Sequence, residues 1–167
     1  MIEHTSRFHV DAPRQRVWRA LHPKPPVDRP PGPRVIEYQG GRIEILEEGN
    51  DAGQGLVRIC RFKTPKYLLS GGWAQSWECI TEARLYEFSR YVAVGKPLWS
   101  RAEGYHELID AEGGGCELTF YETYHAHNPI LRALLEERVH RFISKDNHLT
   151  YLTVLGFCGT VTELTGG

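Results

Sequence analysis

The chain has 167 residues, with 20 lysine and arginine side chains against 21 aspartate and glutamate side chains, for a formal net charge of −1. This balance disfavours a dedicated nucleic-acid binder, which usually has a basic excess, and the lack of any run of about 18 apolar residues disfavours a membrane span. The length predicts a single domain, residues 1–167, built around one core.

The stretch FHVDAPRQRVWRAL changes from strand-like alternation to helical spacing after Pro13. Residues 4–10 are predicted to form the first strand. The helix that follows has Val17 and Trp18 on its apolar side and is too short to be stable alone. We therefore predict that other elements cover this side. Six prolines follow, and they predict an extended loop over residues 23–34, which would form a rim if it lay beside a cavity.

Six further strands are predicted as three hairpins. GRIEILEEG and GLVRICRFK flank NDAGQ in the first hairpin, and GWAQSWECI and RLYEFSRYVA flank TEA in the second. SRAEGYHELID and CELTFYETYHA flank AEGGG in the third. With the first strand, these hairpins predict a seven-stranded antiparallel sheet.

A long helix is predicted over residues 128–157, with Asn128 as its N-cap and Pro129 at the first helical position. Its apolar side is assigned to five residues at roughly helical spacing, Leu131, Leu135, Phe142, Leu149 and Leu152. Val139 and Thr153 extend this stripe. Only this helix is long enough to cover one side of the sheet, and its end would cover Trp18. His140 and His148 are expected at the surface or its edge.

The opening FHVDAPRQRVWRAL, the hairpin GYHELIDAEGGGCELTFYETY and the order of elements together resemble the START-like, or SRPBCC, superfamily. That superfamily includes the birch-pollen allergen fold and the bacterial polyketide cyclase/dehydrase and lipid-transport proteins. The resemblance covers essentially the whole chain and implies an α+β helix-grip fold: a curved antiparallel sheet around a long C-terminal helix, a short N-terminal helix, and an apolar cavity. Members of that superfamily often have a second short helix after the first, and this chain departs from that pattern because it has the proline run there.

Strand alternation predicts which side chains face that cavity. If TEA is the turn of the second hairpin, Ile80 lies opposite Leu85, and the more aromatic side of the hairpin faces inward. In the third hairpin, Leu108 is predicted opposite Leu118. The candidate ligand-binding residues are then Trp73, Gln75, Trp77, Tyr86, Phe88, Arg90, His106, Leu118, Phe120, Glu122 and Tyr124.

In this register Arg90 and Glu122 face each other across Gly104, and a buried arginine needs such a partner. Three interpretations remain open: a structural ion pair, a polar anchor for a ligand, or a shifted register with Arg90 in solvent. His125 and His127 alternate at a strand end, but spacing places no third ligand beside them. We predict no metal and no cofactor.

The leading functional hypothesis is a protein that binds a small hydrophobic molecule, such as a lipid, a sterol-like molecule, a polyketide or another aromatic compound. The alternative is an aromatase/cyclase-dehydratase acting on a polyketide-like substrate, with Arg90, His106, Glu122 and Tyr124 as candidate catalytic residues. An interaction module is a third hypothesis. Trp99 and a free strand edge leave a homodimer open.

Localisation is predicted from the cysteines and the N-terminal segment. The four cysteines are scattered without a CxxC motif, and MIEHTSRFHV lacks the charged and apolar regions of a signal peptide. We therefore expect free thiols and a cytoplasmic protein.

Overall fold

The computed structural model describes residues 2–28, 32–38, 41–68, 70–95 and 98–164. In these ranges one antiparallel sheet, in the order β2-β3-β4-β5-β6-β7-β8-β1-β9, is accompanied by two helices. The strands are β1 (Ile2–Val10), β2 (Arg34–Tyr38), β3 (Gly41–Glu47), β4 (Val57–Lys63), β5 (Trp73–Arg84), β6 (Phe88–Gly95), β7 (Ser100–Asp110), β8 (Cys116–Ala126) and β9 (Val161–Glu163). The helices are α1 (Arg14–Leu21) and α2 (Pro129–Gly156). The sheet is curved with α2 on its concave side, which confirms the predicted fold class.

The sheet extends beyond the seven predicted strands by one strand at each edge. β2 pairs with β3 and uses the alternating residues RVIEY, which directly follow the prolines. β9 pairs with β1 through three residues, a length too short to give a sequence signal. Residues 29–31 of the predicted proline loop lie outside the described residues.

The apolar side of α1 is covered by the sheet and by the end of α2, as predicted. Val17 and Trp18 are buried in a cluster with Phe8 of β1, Leu155 of α2 and Cys158 just beyond it. A helix of eight residues is therefore stabilised by tertiary packing rather than by its own hydrogen bonds.

The register of the third hairpin is confirmed. Leu108 pairs with Leu118, and Gly104 pairs with Glu122. Three successive glycines in the turn, Gly113–Gly115, have φ angles of 93°, 111° and 74°, a region that glycine enters without steric cost. The turn chemistry therefore fixes the pairing that the sequence predicts.

The register of the second hairpin was predicted wrongly. The turn is formed by Leu85–Glu87 instead of TEA, and the pairing shifts between Ile80 and Glu82, so Ile80 lies opposite Tyr91. The change of partner from Leu85 to Tyr91 is an even number of residues, so the side chains that share a side of the hairpin are as predicted. What was wrong is the choice of the more aromatic set as the inward one.

The consequence for β5 and β6 is that five predicted cavity residues lie on the convex side: Trp73, Gln75, Trp77, Phe88 and Arg90. Trp77 is 46% exposed, and Phe88 stacks on Tyr105 with ring centroids 5.6 Å apart. Arg90 lies 3.9 Å from Glu82. The interpretation that places Arg90 in solvent is therefore correct, and the Arg90–Glu122 pair is not formed.

Helix α2 begins as predicted, but its buried side only partly matches the predicted stripe. The side chain of Asn128 accepts hydrogen bonds from the backbone N–H groups of Ile130 and Leu131. Two members of the predicted apolar stripe, Phe142 and Leu149, are 41% and 53% exposed. The fully buried residues are Glu136, Val139, His140, Ile143 and Leu155, and of these only Val139 belongs to the predicted stripe. Neither helix of the described ranges has the length and apolar character needed to cross a bilayer.

Candidate ligand cavity

A cavity of about 1180 Å³ lies between the concave side of the sheet and α2. Pockets for small ligands usually have volumes of about 300–1,000 Å³, so this one is large enough for a bulky guest. Most of its wall is apolar, with contributions from Ile36, Ile43, Ile45, Leu56, Ile80 and Phe120. The cavity therefore offers apolar burial as its main source of affinity.

One end of the cavity reaches the start of the proline loop and the loop after β3. Pro23 and Lys24 line it from one side, and Gly49–Gly53 line it from the other. Lys24 lies 3.8 Å from Asp51, an exposed ion pair between the two loops. The predicted loop thus forms part of the rim of the cavity.

Arg34 of β2 adds further polar contacts at this rim. Its Nε and Nη2 atoms each donate to a carboxylate oxygen of Glu48 at 2.9 Å. Nη2 also donates to the backbone carbonyl of Pro23 at 2.8 Å. The guanidinium therefore joins the edge strand to the start of the proline loop.

Deeper in the cavity, five residues form the Glu122 cluster: Tyr91, Glu122, Tyr124, Ser144 and Asn147. Ser144 donates to Glu122 at 2.9 Å, Asn147 at 3.3 Å and Tyr91 at 3.4 Å, and Tyr124 also hydrogen-bonds this carboxyl group. Glu122 is 1% exposed, and burial raises its pKa although these four donors oppose the shift. The carboxyl group is held by neutral donors instead of the predicted arginine.

Tyr91 reaches Glu122 because Gly104 separates them. Tyr91 and Glu122 pair with Gly104 from its two sides, on β6 and β8. A Cβ atom on Gly104 would lie 2.6 Å from Cε1 of Tyr91. The space predicted for Arg90 is thus used by the neighbouring residue, one position along the strand.

A second polar group, the His106 cluster, consists of His106, Tyr151, His22 and Trp18. The Nε2 atom of His106 and the hydroxyl of Tyr151 are 2.5 Å apart. The His22 ring stacks on Trp18 and meets the His106 ring at 71°, with the two histidine centroids 5.8 Å apart. Burial lowers the pKa of His22 to about 4 and that of His106 well below 6.5, so both rings are neutral at neutral pH.

The charge of Arg58 on the cavity wall is compensated by Glu78. The two residues lie opposite each other on β4 and β5. Nε and Nη2 of Arg58 are 2.8 and 2.7 Å from Oε2 of Glu78, and Ser76 donates to Oε1 at 3.0 Å. Burial alone would lower the pKa of Arg58, but the charge and the hydrogen bond of Glu78, together with the nearby Cys60 and Tyr151, outweigh this effect and raise the pKa.

His140 of α2 is 1% exposed and also lines the cavity, in contrast to the predicted surface position. Its ring stacks on Tyr124 with centroids 4.0 Å apart and an angle of 15° between the planes. Neither ring nitrogen has a hydrogen-bond partner among the described residues. Burial lowers its pKa to about 4.

The structure thus separates the predicted ligand-binding residues into three groups. Five line the cavity: Tyr86, His106, Phe120, Glu122 and Tyr124. Leu118 is buried in the core cluster beside α1, and the five named above lie on the convex side. Of the candidate catalytic residues, His106, Glu122 and Tyr124 therefore remain in one cavity, whereas Arg90 does not.

Sequence reasoning missed the wall residues of β4 and α2, Arg58, His140, Asn147 and Tyr151, together with Glu78 and Tyr91. A signal for the helical ones was present: His140, Asn147 and Tyr151 are spaced by seven and four residues and so fall on one side of a helix. A search limited to apolar residues overlooks such a mixed stripe.

Of the two alternating histidines near the end of β8, His125 has a side-chain hydrogen-bond partner. Arg132 donates to Nε2 of His125 at 2.8 Å. In the described parts of the chain, no three His, Cys, Asp or Glu side chains are grouped closely enough to hold a metal ion.

No family model and no curated protein matches the chain. Among solved structures, the chain is similar to Ara h 8.0201, a Bet v 1-like allergen, with 19% identity and a TM-score of 0.59 over 94% of this chain and 98% of that one. It is similar to protein CV1439 from Chromobacterium violaceum, with 17% identity and a TM-score of 0.58 over 93% and 96% of the two chains. Protein Ms6760 from Mycobacterium smegmatis has 12% identity and a TM-score of 0.56 over 92% and 89%.

These similarities concern the fold. The chain has the helix-grip fold of Bet v 1-like proteins, and the fold predicted from the START-like resemblance is confirmed.

Proposed function

We propose that the protein binds a small hydrophobic molecule in the cavity between the sheet and α2. The observation that carries this proposal is the cavity itself, about 1180 Å³ in volume with a mainly apolar wall. Burial of apolar surface contributes about 25 cal/mol per Å², so a ligand that fills the cavity gains most of its affinity there. The Glu122 and His106 clusters would orient it. Lipid, sterol-like, polyketide and other aromatic molecules all suit this arrangement.

Two adjacent substitutions on β6 test the proposal. Ala93 is buried on the cavity wall, whereas Val92 lies on the opposite side of the same strand. We expect Ala93→Leu to weaken the binding of butylpyrene, a neutral apolar probe, and Val92→Leu to leave it unchanged. Calorimetric titration measures both, and circular dichroism checks that both variants fold. Equal affinities of the two variants would show that the probe binds outside the cavity.

The natural ligand is sought by native mass spectrometry of protein purified from its own host. A bound apolar molecule in wild type that Ala93→Leu reduces supports the proposal. If no apolar molecule is found bound to the wild-type protein and butylpyrene does not bind it either, the proposed function is wrong.

A second candidate function, an aromatase/cyclase-dehydratase, is favoured by the short contact between His106 and Tyr151 in the cavity wall. Such a pair can move a proton while a poly-ketone chain closes a ring: a base removes a proton from carbon, the enolate attacks a second carbonyl, and the new alkoxide takes up a proton. Turnover of a poly-ketone substrate that is lost in Tyr151→Phe and His106→Gln would support this function. Turnover unchanged in both variants would exclude these residues as catalysts.

We extend the proposal to the cellular location and the oligomeric state of the protein. All four cysteines are free thiols, which suits a reducing cytoplasm. Trp99 is 66% exposed and is the candidate contact of a homodimer. Sedimentation equilibrium of wild type and Trp99→Ser measures whether such a dimer forms and whether it depends on this side chain.

A further inference from the structure

The ring of His140 is buried against the cavity with its hydrogen-bonding capacity unused by the described residues. Both nitrogens are without a hydrogen-bond partner among the described residues, although the side chain is 1% exposed. Leaving a buried donor or acceptor unsatisfied lowers stability. A molecule in the cavity that hydrogen-bonds one of these nitrogens would remove part of that cost.

Several side chains next to His140 form hydrogen bonds with other groups. One turn before it, Glu136 accepts from the backbone N–H of Ala126, and one turn after it, Ser144 donates to Glu122. Tyr124, which covers one side of the ring, hydrogen-bonds Glu122 as well. His4 of β1 also has a buried nitrogen, Nε2, without a partner among the described residues. Among the described residues, none of these neighbours hydrogen-bonds the ring of His140, which lies on the cavity wall.

The charges near His140 argue against an anionic guest at this position. Glu122 shares Tyr124 with His140, so a ligand carboxylate beside His140 would meet a carboxyl group. Arg58 is engaged by Glu78. Among the described residues of the wall, the other basic side chains lie toward the rim: Arg19, Lys24 and Arg34. At the rim, Lys24 and Arg34 are paired with Asp51 and Glu48. An anionic group is therefore disfavoured beside His140.

The ring itself selects among uncharged groups. Burial lowers the pKa of His140 to about 4, so at neutral pH it presents one N–H donor and one bare nitrogen acceptor. A hydroxyl group also has one donor and can accept, whereas an ether only accepts and a protonated amine only donates.

We propose that His140 is a ligand-binding residue that hydrogen-bonds the hydroxyl group of a neutral, otherwise apolar molecule, an alcohol or a phenol. This inference rests on the proposed function and names the class of ligand and one of its polar contacts.

Three matched probes test it: pyrenebutanol, pyrenebutyrate and butylpyrene. We expect wild-type protein to bind pyrenebutanol about three- to tenfold more tightly than butylpyrene, the range of a single net hydrogen bond, and to bind pyrenebutyrate more weakly than pyrenebutanol. In His140→Phe the preference for the hydroxyl should disappear while butylpyrene still binds. His148→Phe is the matched control, because His148 lies two turns further on α2 and contacts Ser6 at 3.0 Å.

A measurement on the wild-type protein keeps the test independent of how well His140→Phe folds. Nitrogen NMR of the imidazole side chains should show the His140 signals shifting on addition of pyrenebutanol more than on addition of butylpyrene. Equal shifts, or a hydroxyl preference that persists in His140→Phe, would overturn the role of His140. Equal affinity of wild type for pyrenebutanol and butylpyrene would also overturn it while leaving the proposed function intact. Binding of none of the probes would instead contradict the proposed function.

Discussion

Gly104 is the residue on which the geometry of the Glu122 cluster depends. A Cβ atom at this position would lie 2.6 Å from the Tyr91 ring and 2.6 Å from the backbone carbonyl of Tyr121. The missing side chain allows the tyrosine to cross one strand and reach a carboxyl group on the next. A glycine inside a strand usually weakens it, so its presence here reflects the close approach of other atoms.

We therefore expect Gly104→Ala to lower the free energy of unfolding by about 1–3 kcal/mol, the usual cost of overpacking a well-filled site. Urea denaturation measures the change. Gly156→Ala is the matched control, because outside the neighbouring helical backbone no atom of the described residues lies within 4 Å of the added methyl group. Gly156 is the last residue of α2, so alanine there should be neutral or stabilising by up to about 1 kcal/mol. Equal destabilisation by both substitutions would contradict the role assigned to Gly104.

At the scale of elements, the β4–β5 pair brings opposite charges together on the cavity wall. Arg58 and Glu78 are directly opposed, so their side chains meet without any contribution from a loop. Removing one partner of a buried ion pair leaves the other charge uncompensated, at a cost of about 3–5 kcal/mol, whereas replacing both partners by apolar groups is often tolerated.

A double-mutant cycle tests this coupling. Arg58→Met and Glu78→Leu should each lower the free energy of unfolding by about 2–5 kcal/mol, and the double variant should lose clearly less than the sum of the two. Chemical denaturation of the four proteins gives the coupling energy. Additive losses would mean that the two charges do not stabilise each other in the folded protein.

The two later hairpins show how far the sequence predicts such elements. In the third hairpin, the glycine-rich turn leaves one low-cost register, and the inward positions of His106, Phe120 and Glu122 follow from it. In the second hairpin, the turn contains Tyr86 at a φ of 66°, a conformation that sequence patterns associate with glycine or asparagine. Neither the turn, which lacks glycine, nor the irregular pairing near Thr81 has a recognisable pattern in the sequence. The more aromatic set of side chains was also taken as the inward one, so Arg90 lies outside the cavity and Tyr91 lines it.

At the scale of the whole molecule, the order of elements was sufficient to predict the helix-grip fold, whereas only part of the polar interior, namely His106, Glu122 and Tyr124, was predicted. The fold follows from the need to cover one side of a sheet with one long helix. A helix of the right length with an apolar side meets this need, whichever particular residues it carries. The polar residues of the wall depend on strand register and on which side of α2 faces inward. His140 was assigned to the surface because the inward side of α2 was chosen from its apolar residues alone, although His140, Asn147 and Tyr151 share one side of the helix.

Buried neutral histidines make the stability of the whole molecule depend on pH. The pKa of His22 and of His140 is lowered from 6.5 to about 4 by burial, so the unfolded chain binds more protons than the folded protein between these values. Their contribution to stability is present above pH 6.5 and is lost as the pH falls toward 4. Each can lower the free energy of unfolding by up to about 1.4 kcal/mol per pH unit in this window.

We expect the slope of unfolding free energy against pH to be smaller in His140→Phe than in wild type, as measured by urea denaturation at a series of pH values. Glu122 acts in the opposite direction. Its pKa is raised above 4.5 in the folded protein, so its contribution is present at low pH and is lost as the pH rises. Glu122→Gln should therefore steepen the acid decline. Identical slopes in wild type and His140→Phe would contradict a neutral buried ring.

The placement of the four tryptophans provides an optical signal for the interior of the protein. Trp18 is buried and lies on the cavity wall beside His22, whereas Trp73, Trp77 and Trp99 are exposed to solvent. A dissolved quencher such as iodide should suppress the emission of the three exposed indoles and leave the shorter-wavelength emission of Trp18. The unquenched fluorescence of Trp18 would then report whether the cavity is occupied, without any label attached to the protein or its ligand.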